Sequence, residues 1–375
     1  MYITKEHLKS GMILARDIIL NERNLSYVLL TRGQPLNARY INKILFHDIT
    51  GVFIENDAFD DMVFEQEIDR RLESKALTAI RSLHYELERN DKSLSFNSID
   101  QFSVIIDDLI SDILSKRKLT DNILEFKNHD EYTYQHCLNV ANLSITTGIA
   151  MGLKGRSLHT LGMAALLHDI GKTAIPTEIL NKPGALTAEE FELMKTHPIV
   201  AVDILKNYVS EDILVGIKFH HERADGSGYP YGRTNDNIPL YSKIISISDV
   251  YHALNSERSY RKMCFPNEIM EYLMGNAGSH FDYDVLKVFL KNVVAFPVGT
   301  FVKLSNGKLG VVIKNYIENN MRPKIRVVNP DNTVGEDIDL LNDYQYMNVT
   351  VVDMGYKYVD IDFGKIKKAK TPPKK

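Results

Sequence analysis

The chain has 375 residues, 44 % of them hydrophobic, and a net charge of −4, which leaves room for two or three ordinary globular domains and gives no drive toward direct DNA binding. Only Cys137 and Cys264 occur, which excludes a disulfide framework and fits a reducing cytoplasm. The start MYITKEHLKSG lacks the apolar core of a signal peptide, and no run approaches the roughly 20 apolar residues that span a bilayer, so a cytoplasmic protein without membrane insertion is expected.

Residues 1–62 form a small α/β module. GMILARDIIL, SYVLLTRG and GVFIEN have strand composition, and NARYINKILFHDI has that of a helix. Residues 63–118 predict two helices, a linker or dimerisation region. In the second, Ile99, Phe102, Ile106, Leu109 and Ile113 recur at helical steps behind a Ser98/Gln101 capping box. Residues 119–295 carry the chemistry. After Phe296-Pro297 the composition turns β-rich: GTFVKLSNGKLGVVIKN centres a hairpin on Asn306-Gly307, and KIRVVNP and VTVVDMG add strands, a small β domain over 296–364. The basic tail, 365–375, is expected to be disordered. The fold class is therefore mainly α, a helical domain flanked by a small α/β module and a small β module.

Within 119–295 stand His136, His168-Asp169, His197, His220-His221 and Asp249. Imidazole nitrogens and carboxylate oxygens are the ligands that first-row divalent metals take. These seven groups exceed what one ion needs, and two ions about 3.5–4 Å apart are a known device for hydrolysing phosphate esters. The run AALLHDIGK, 164–172, predicts a buried helix with His168 and Asp169 at its inner end. Neighbours on a helix point about 100° apart, so the pair suits two ions better than one. Lys172 falls one turn after His168 and can neutralise a phosphate or a developing oxyanion. Thr187 and Glu190 form a capping box that opens a helix ending at His197, since Pro198 disfavours helical geometry in the residue before it. Taken singly, His136 on a face with Val140 and Leu143 reads as a core histidine, His197 as a helix C-cap and Asp249 as an N-cap; it is their combination that points to metal.

Four spaced segments carry a resemblance: HDIGK at 168–172, ILNKPGALTAEEF at 179–191, HHERADGSGYPYG at 220–232 and SDVYHALNSERSYRK at 248–262. Over about 130–295 the chain closely resembles the HD-GYP family of HD-domain phosphohydrolases. The resemblance implies an all-helical metal site and hydrolysis of the bacterial second messenger cyclic di-GMP to linear pGpG, and onward to GMP, by attack of a water activated between two divalent transition-metal ions, iron or manganese. It places metal ligands on His136, His168, Asp169, His197, His220, His221 and Asp249, the active-site lysine on Lys172 beside Asp169, and phosphate contacts on Arg258 and Arg261. The signature Gly228-Tyr229-Pro230, together with His252, falls among the substrate contacts. A diguanylate cyclase (GGDEF) domain and a second copy of the chain are the expected protein partners.

Departures narrow the expectation. Members with three metals carry a glutamate where this chain has Tyr132, and the neighbouring Glu131 is rotated off that face, which favours two ions. Many members have Asp at His252, Pro at Ser259 and Gly at Ala201. The competing readings are a non-catalytic module that responds to cyclic dinucleotides by docking a partner, and a hydrolase of another nucleotide such as cyclic GMP-AMP.

Overall fold

The computed structural model describes residues 1–22, 25–47, 49–62, 68–89, 94–116, 132–182, 184–255, 265–316, 318–354 and 363–367. Arg258, Ser259, Arg261, Cys264, Glu131 and the side chain of Tyr132 lie outside the described residues. The chain divides into two compact units, one drawing on the N-terminal segment and on the chain from Val293, the other on Ile68 onward and Thr133–Asn292. Among the described residues no helix is long and apolar enough to cross a membrane.

The first unit joins what the sequence presents as two separate modules. Its N-terminal part holds β1 (Tyr2–Thr4), the hairpin β2 (Ile18–Glu22) and β3 (Leu25–Leu30), α1 (Ala38–Phe46, capped by Asn37) and β4 (Gly51–Phe53), with β1 antiparallel to β4. Its C-terminal part is a five-stranded antiparallel sheet of β5 (Phe301–Leu304), β6 (Leu309–Lys314), β7 (Lys324–Val328), β8 (Val334–Asp339) and β9 (Val351–Met354), in the order β8-β7-β6-β5-β9. The hairpin between β5 and β6 turns at Gly307, whose φ of +84° is open to glycine. One core holds Ile3, Leu14, Ile44 and Phe59 together with Phe301, Val311 and Phe363. Arg326 on β7 reaches Asp61 with both terminal nitrogens at 2.6 and 2.8 Å. Residues 365–367, expected to belong to a disordered tail, are placed instead: Ile366 is buried in this core and Lys367 bridges Thr333, because an apolar side chain inside an otherwise basic stretch finds a place to bury.

The second unit is helical. α2 (Arg70–Arg89) and α3 (Phe96–Lys116) run antiparallel, since Asp69 meets Asp112 at one end and Glu86 meets Ser98 at the other. Ile99, Phe102, Ile106 and Leu109 are buried as their spacing predicts. The α3 start differs from expectation: the helix begins at Phe96, with Ser95 Oγ accepting from the Ser98 amide at 3.2 Å, so Ser95 and not Ser98 occupies the cap. Then follow α4 (Tyr132–Ala150), α5 (Gly155–Leu167), α6 (Thr177–Leu180), α7 (Ala188–Met194), α8 (His197–Leu205), α9 (Glu211–Lys218), α10 (Leu240–Asn255), α11 (Pro266–Gly275) and α12 (Tyr283–Asn292). The Thr187/Glu190 box does open α7. That helix stops at Met194, however, and His197 begins α8. Proline is tolerated in a helix's first turn, so Pro198 marks a start where an end was expected.

Candidate metal centre

Three of the histidines are set by one local device. A helix leaves its last carbonyls without intrahelical partners, and in three places a histidine just beyond the helix reaches back to one. His168 Nδ1 donates to the Ala165 carbonyl at 2.8 Å after α5, His197 Nδ1 to Met194 at 2.8 Å after α7, and His220 Nδ1 to Ile217 at 2.6 Å after α9. Each bond puts the ring proton on Nδ1 and leaves the Nε2 lone pair to point elsewhere. They point at one another's neighbourhood. His197 Nε2 lies 3.4 Å from His220 Nε2 and 3.4 Å from Asp169 Oδ1, while His168 Nε2 lies 3.4 Å from Asp169 Oδ2. Capping α7 through Nδ1 and turning Nε2 toward the cluster are thus compatible in His197.

Asp169 follows His168 at the end of α5 and leads into a 3₁₀ turn over Ile170–Ala174. That turn lies so close to the start of α8 that a side chain on Gly171 would strike the His197 carbonyl, which is why glycine follows the His-Asp pair. His136 from α4 approaches Asp169 Oδ2 at 3.6 Å and Asp249 Oδ1 at 3.1 Å. Asp249 stands in the middle of α10, so it caps nothing. The isoleucines around it bury the helix, which resolves IISISD as helical.

The donor set fits divalent metal ions. His168 Nε2 and Asp169 Oδ1 are buried with no hydrogen-bond partner, a state that is costly unless a cation serves both. Two unprotonated Nε2 atoms facing each other, as in His197 and His220, make sense only around positive charge. Ligand atoms within 4.8 Å of one another form three overlapping groups: His136, His168 and Asp169; Asp169, His197, His220 and His221; and His168, His220 and Asp249. Asp169 belongs to the first two, and its two oxygens face different partners.

Electrostatics prepares the same state. Burial lowers His136 and His197 from 6.5 to about 4 and His220 to about 3, and holds His221 well below its ordinary value. All four are neutral, as ligands must be. Burial also opposes ionisation of Asp169 and Asp249, but the adjacent His168 and Lys172 outweigh it for the first and the bonded His136 for the second, keeping both well below the usual carboxylate range. His168 runs the other way: burial would lower it, yet the carboxylate of Asp169 raises it. Between pH 6.5 and about 4 the unfolded chain binds protons that folded His136 and His197 refuse, so stability rises with pH across this window and is lost as pH falls. Metal-free protein titrated from pH 7 to 4 should therefore show a falling urea midpoint; a midpoint that holds or rises would contradict the burial of neutral imidazoles.

Lys172 sits on the 3₁₀ turn with its Nζ 2.5 Å from Asp169 Oδ2 and its side chain 24 % exposed, so it reaches the centre from the solvent side. The loop after α9 is held by a residue that the sequence reading passed over. Glu222 is 2 % exposed and accepts from the amides of Tyr231 and Arg233, both at 2.8 Å. Its signal was present, a carboxylate between the histidine pair and a glycine-rich loop that needs an acceptor. Gly228 passes so near residues 221–223 that any side chain would collide with their backbone. Tyr229, followed by a cis bond to Pro230, stacks on His221 with ring centroids 4.7 Å apart. Glu222→Ala would leave two amides without their acceptor. It should cost roughly 2–6 kcal/mol by loss of two bonds of about 1–3 kcal/mol each, read by urea unfolding, with Glu222→Gln milder. Equal stability of both variants and the parent would contradict the assignment.

His252, expected among the substrate contacts, is instead 6 % exposed and turned toward α4. Its Nδ1 lies 2.8 Å from His136 Nδ1 and its Nε2 3.2 Å from Asn139 Nδ2. Three residues after Asp249 on a buried helix, it shares that residue's inward face.

An HD domain is what this fold and cluster define, and the HD-domain model matches residues 111–285. The resemblance to the HD-GYP family falls within this HD domain. The chain is 36 % identical over 227 residues to a cyclic di-GMP phosphodiesterase of Pseudomonas aeruginosa, covering 60 % of this chain and 55 % of that protein. It is 31 % identical over 243 residues to a cyclic di-GMP phosphodiesterase of Thermotoga maritima, covering 62 % and 65 %. It is 29 % identical over 246 residues to the 3'3'-cGAMP-specific phosphodiesterase 1 of Vibrio cholerae, covering 64 % and 56 %. The chain thus spans less than two thirds of the length of each of these relatives.

Proposed function

We propose that this protein is a metal-dependent phosphodiesterase that hydrolyses cyclic di-GMP to linear pGpG, and further to GMP, with two iron or manganese ions. The observation that carries this reading is Asp169, buried between two ligand groups with one oxygen toward each. His136, His168 and Asp249 would hold one ion and His197, His220 and His221 the other, with Asp169 shared. Bound ions would supply an acidified water near neutral pH and positive charge for the phosphoryl oxygens. Lys172, one turn beyond the His168-Asp169 pair, adds a movable cation that can leave Asp169 for a substrate phosphate. Arg258 and Arg261 are proposed as further phosphate contacts on the family resemblance. Tyr229, packed on His221, lends an apolar wall that limits water at the centre. A diguanylate cyclase domain and a second copy of the chain are the proposed protein partners.

Purified protein with added Mn²⁺ or Fe²⁺ should turn over cyclic di-GMP faster than 3'3'-cyclic GMP-AMP or cyclic di-AMP, with pGpG as the first product on chromatography. Faster cleavage of cyclic GMP-AMP would move the substrate, and binding without turnover of any of the three would make the domain an interaction module.

A further inference from the structure

We infer that His252 is a positioning residue that acts through His136, taking the part that a carboxylate plays behind many metal-bound histidines, and that Asn139 completes the arrangement. The inference rests on the reading of His136 as a ligand. His136 differs from His168, His197 and His220 in the partner its Nδ1 meets. Where those three donate to a main-chain carbonyl, His136 Nδ1 lies 2.8 Å from His252 Nδ1. Two ring nitrogens at that distance need one proton between them, so one must donate and the other accept. For His136 to present a lone pair at Nε2, toward Asp169 and Asp249, its proton must sit on Nδ1. His252 Nδ1 must then accept. With Nδ1 accepting, the ring proton of His252 is on Nε2, and it donates to the Asn139 side chain 3.2 Å away. Asn139 must therefore offer its carbonyl end there, and since the two ends of an amide are nearly isosteric, a turn about one bond suffices. The opposite proton order places hydrogen on His136 Nε2 and blocks ligation.

The chain Asn139–His252–His136 is buried throughout, with Asn139 at 2 %, His252 at 6 % and His136 at 3 % exposure, so water does not readily replace a lost partner. A ring in place of a carboxylate also brings no negative charge to the centre. Partners of this kind typically change metal affinity about 10–100-fold.

The test is Mn²⁺ binding to the full chain, with free ion counted by electron paramagnetic resonance. His252→Phe keeps a ring and removes the acceptor, and should weaken one of the two sites about 10–100-fold. His252→Asp restores an acceptor for His136 Nδ1–H and should recover affinity, a rescue that mere space-filling would not produce. Wild-type affinity in His252→Phe, or equal weakening in both variants, would overturn the proposal. His136→Ala separates the two levels: if it keeps both ions, the ligand reading itself fails; if it loses one while His252→Phe keeps both, only the present inference fails. Should the variants not fold, ¹⁵N-histidine spectra of the unaltered protein loaded with Zn²⁺ decide, since they should show His252 protonated on Nε2 and not on Nδ1.

Discussion

Asp169→Ala protein should lose both metal ions and turn over cyclic di-GMP at least about 10²–10³-fold more slowly, the loss typical of one electrostatic contact at a reacting centre. The expectation follows from position. Asp169 is a member of two of the three ligand groups, its oxygens lie 3.4–3.6 Å from the Nε2 atoms of His136, His168 and His197, and it is 1 % exposed. His221→Ala provides the contrast, because His221 belongs to one group only; it should lower occupancy of a single site. Elemental analysis of the two variants side by side checks this. Equal metal loss in both, or retention of both ions by Asp169→Ala, would show that the carboxylate is not shared.

Lys172→Ala should keep both ions and the fold while losing about 10²–10³ in rate. In the protein without metal, Lys172 is the counter-charge of Asp169, and its ammonium cannot itself ligate. A cation bound at Asp169 would take over that task and free the lysine for a phosphate. Metal content by elemental analysis and turnover should therefore separate in this variant, with Lys172→Arg recovering part of the rate. If metal leaves with activity, Lys172 holds the ligand cage together and the charge role is wrong.

Much of the site was legible because its chemistry is written in residue types that folding alone seldom places together. Adjacent His168-Asp169 and His220-His221 on buried segments have few structural uses, and the structure brings both pairs to one centre with His136, His197 and Asp249. The α5 burial pattern and the Thr187 capping box could likewise be read from local spacing. What escaped depends on contacts distant in sequence. Nothing local says that the N-terminal strands and the C-terminal sheet share a core through Phe301, Val311 and Phe363. β8 was missed because its sequence, VGEDID, is that of a charged edge strand without alternating apolar residues, and β1 because three residues carry no period. His252, placed among the substrate contacts by the family resemblance, packs against α4, and its partners there, His136 and Asn139, lie far from it in sequence. Glu222 lay in plain view in HHERADGSGYPYG, and its partners, the amides of Tyr231 and Arg233, appear only when the loop folds back.

The most direct test is metal content and turnover in one sample, purified without oxygen and analysed before and after chelation. Close to two iron or manganese ions per chain are expected, with cyclic di-GMP hydrolysis that disappears when they are stripped and returns when they are restored. Undiminished hydrolysis by the stripped protein, or fewer than one ion per chain in fully active protein, would contradict a shared two-metal centre at Asp169.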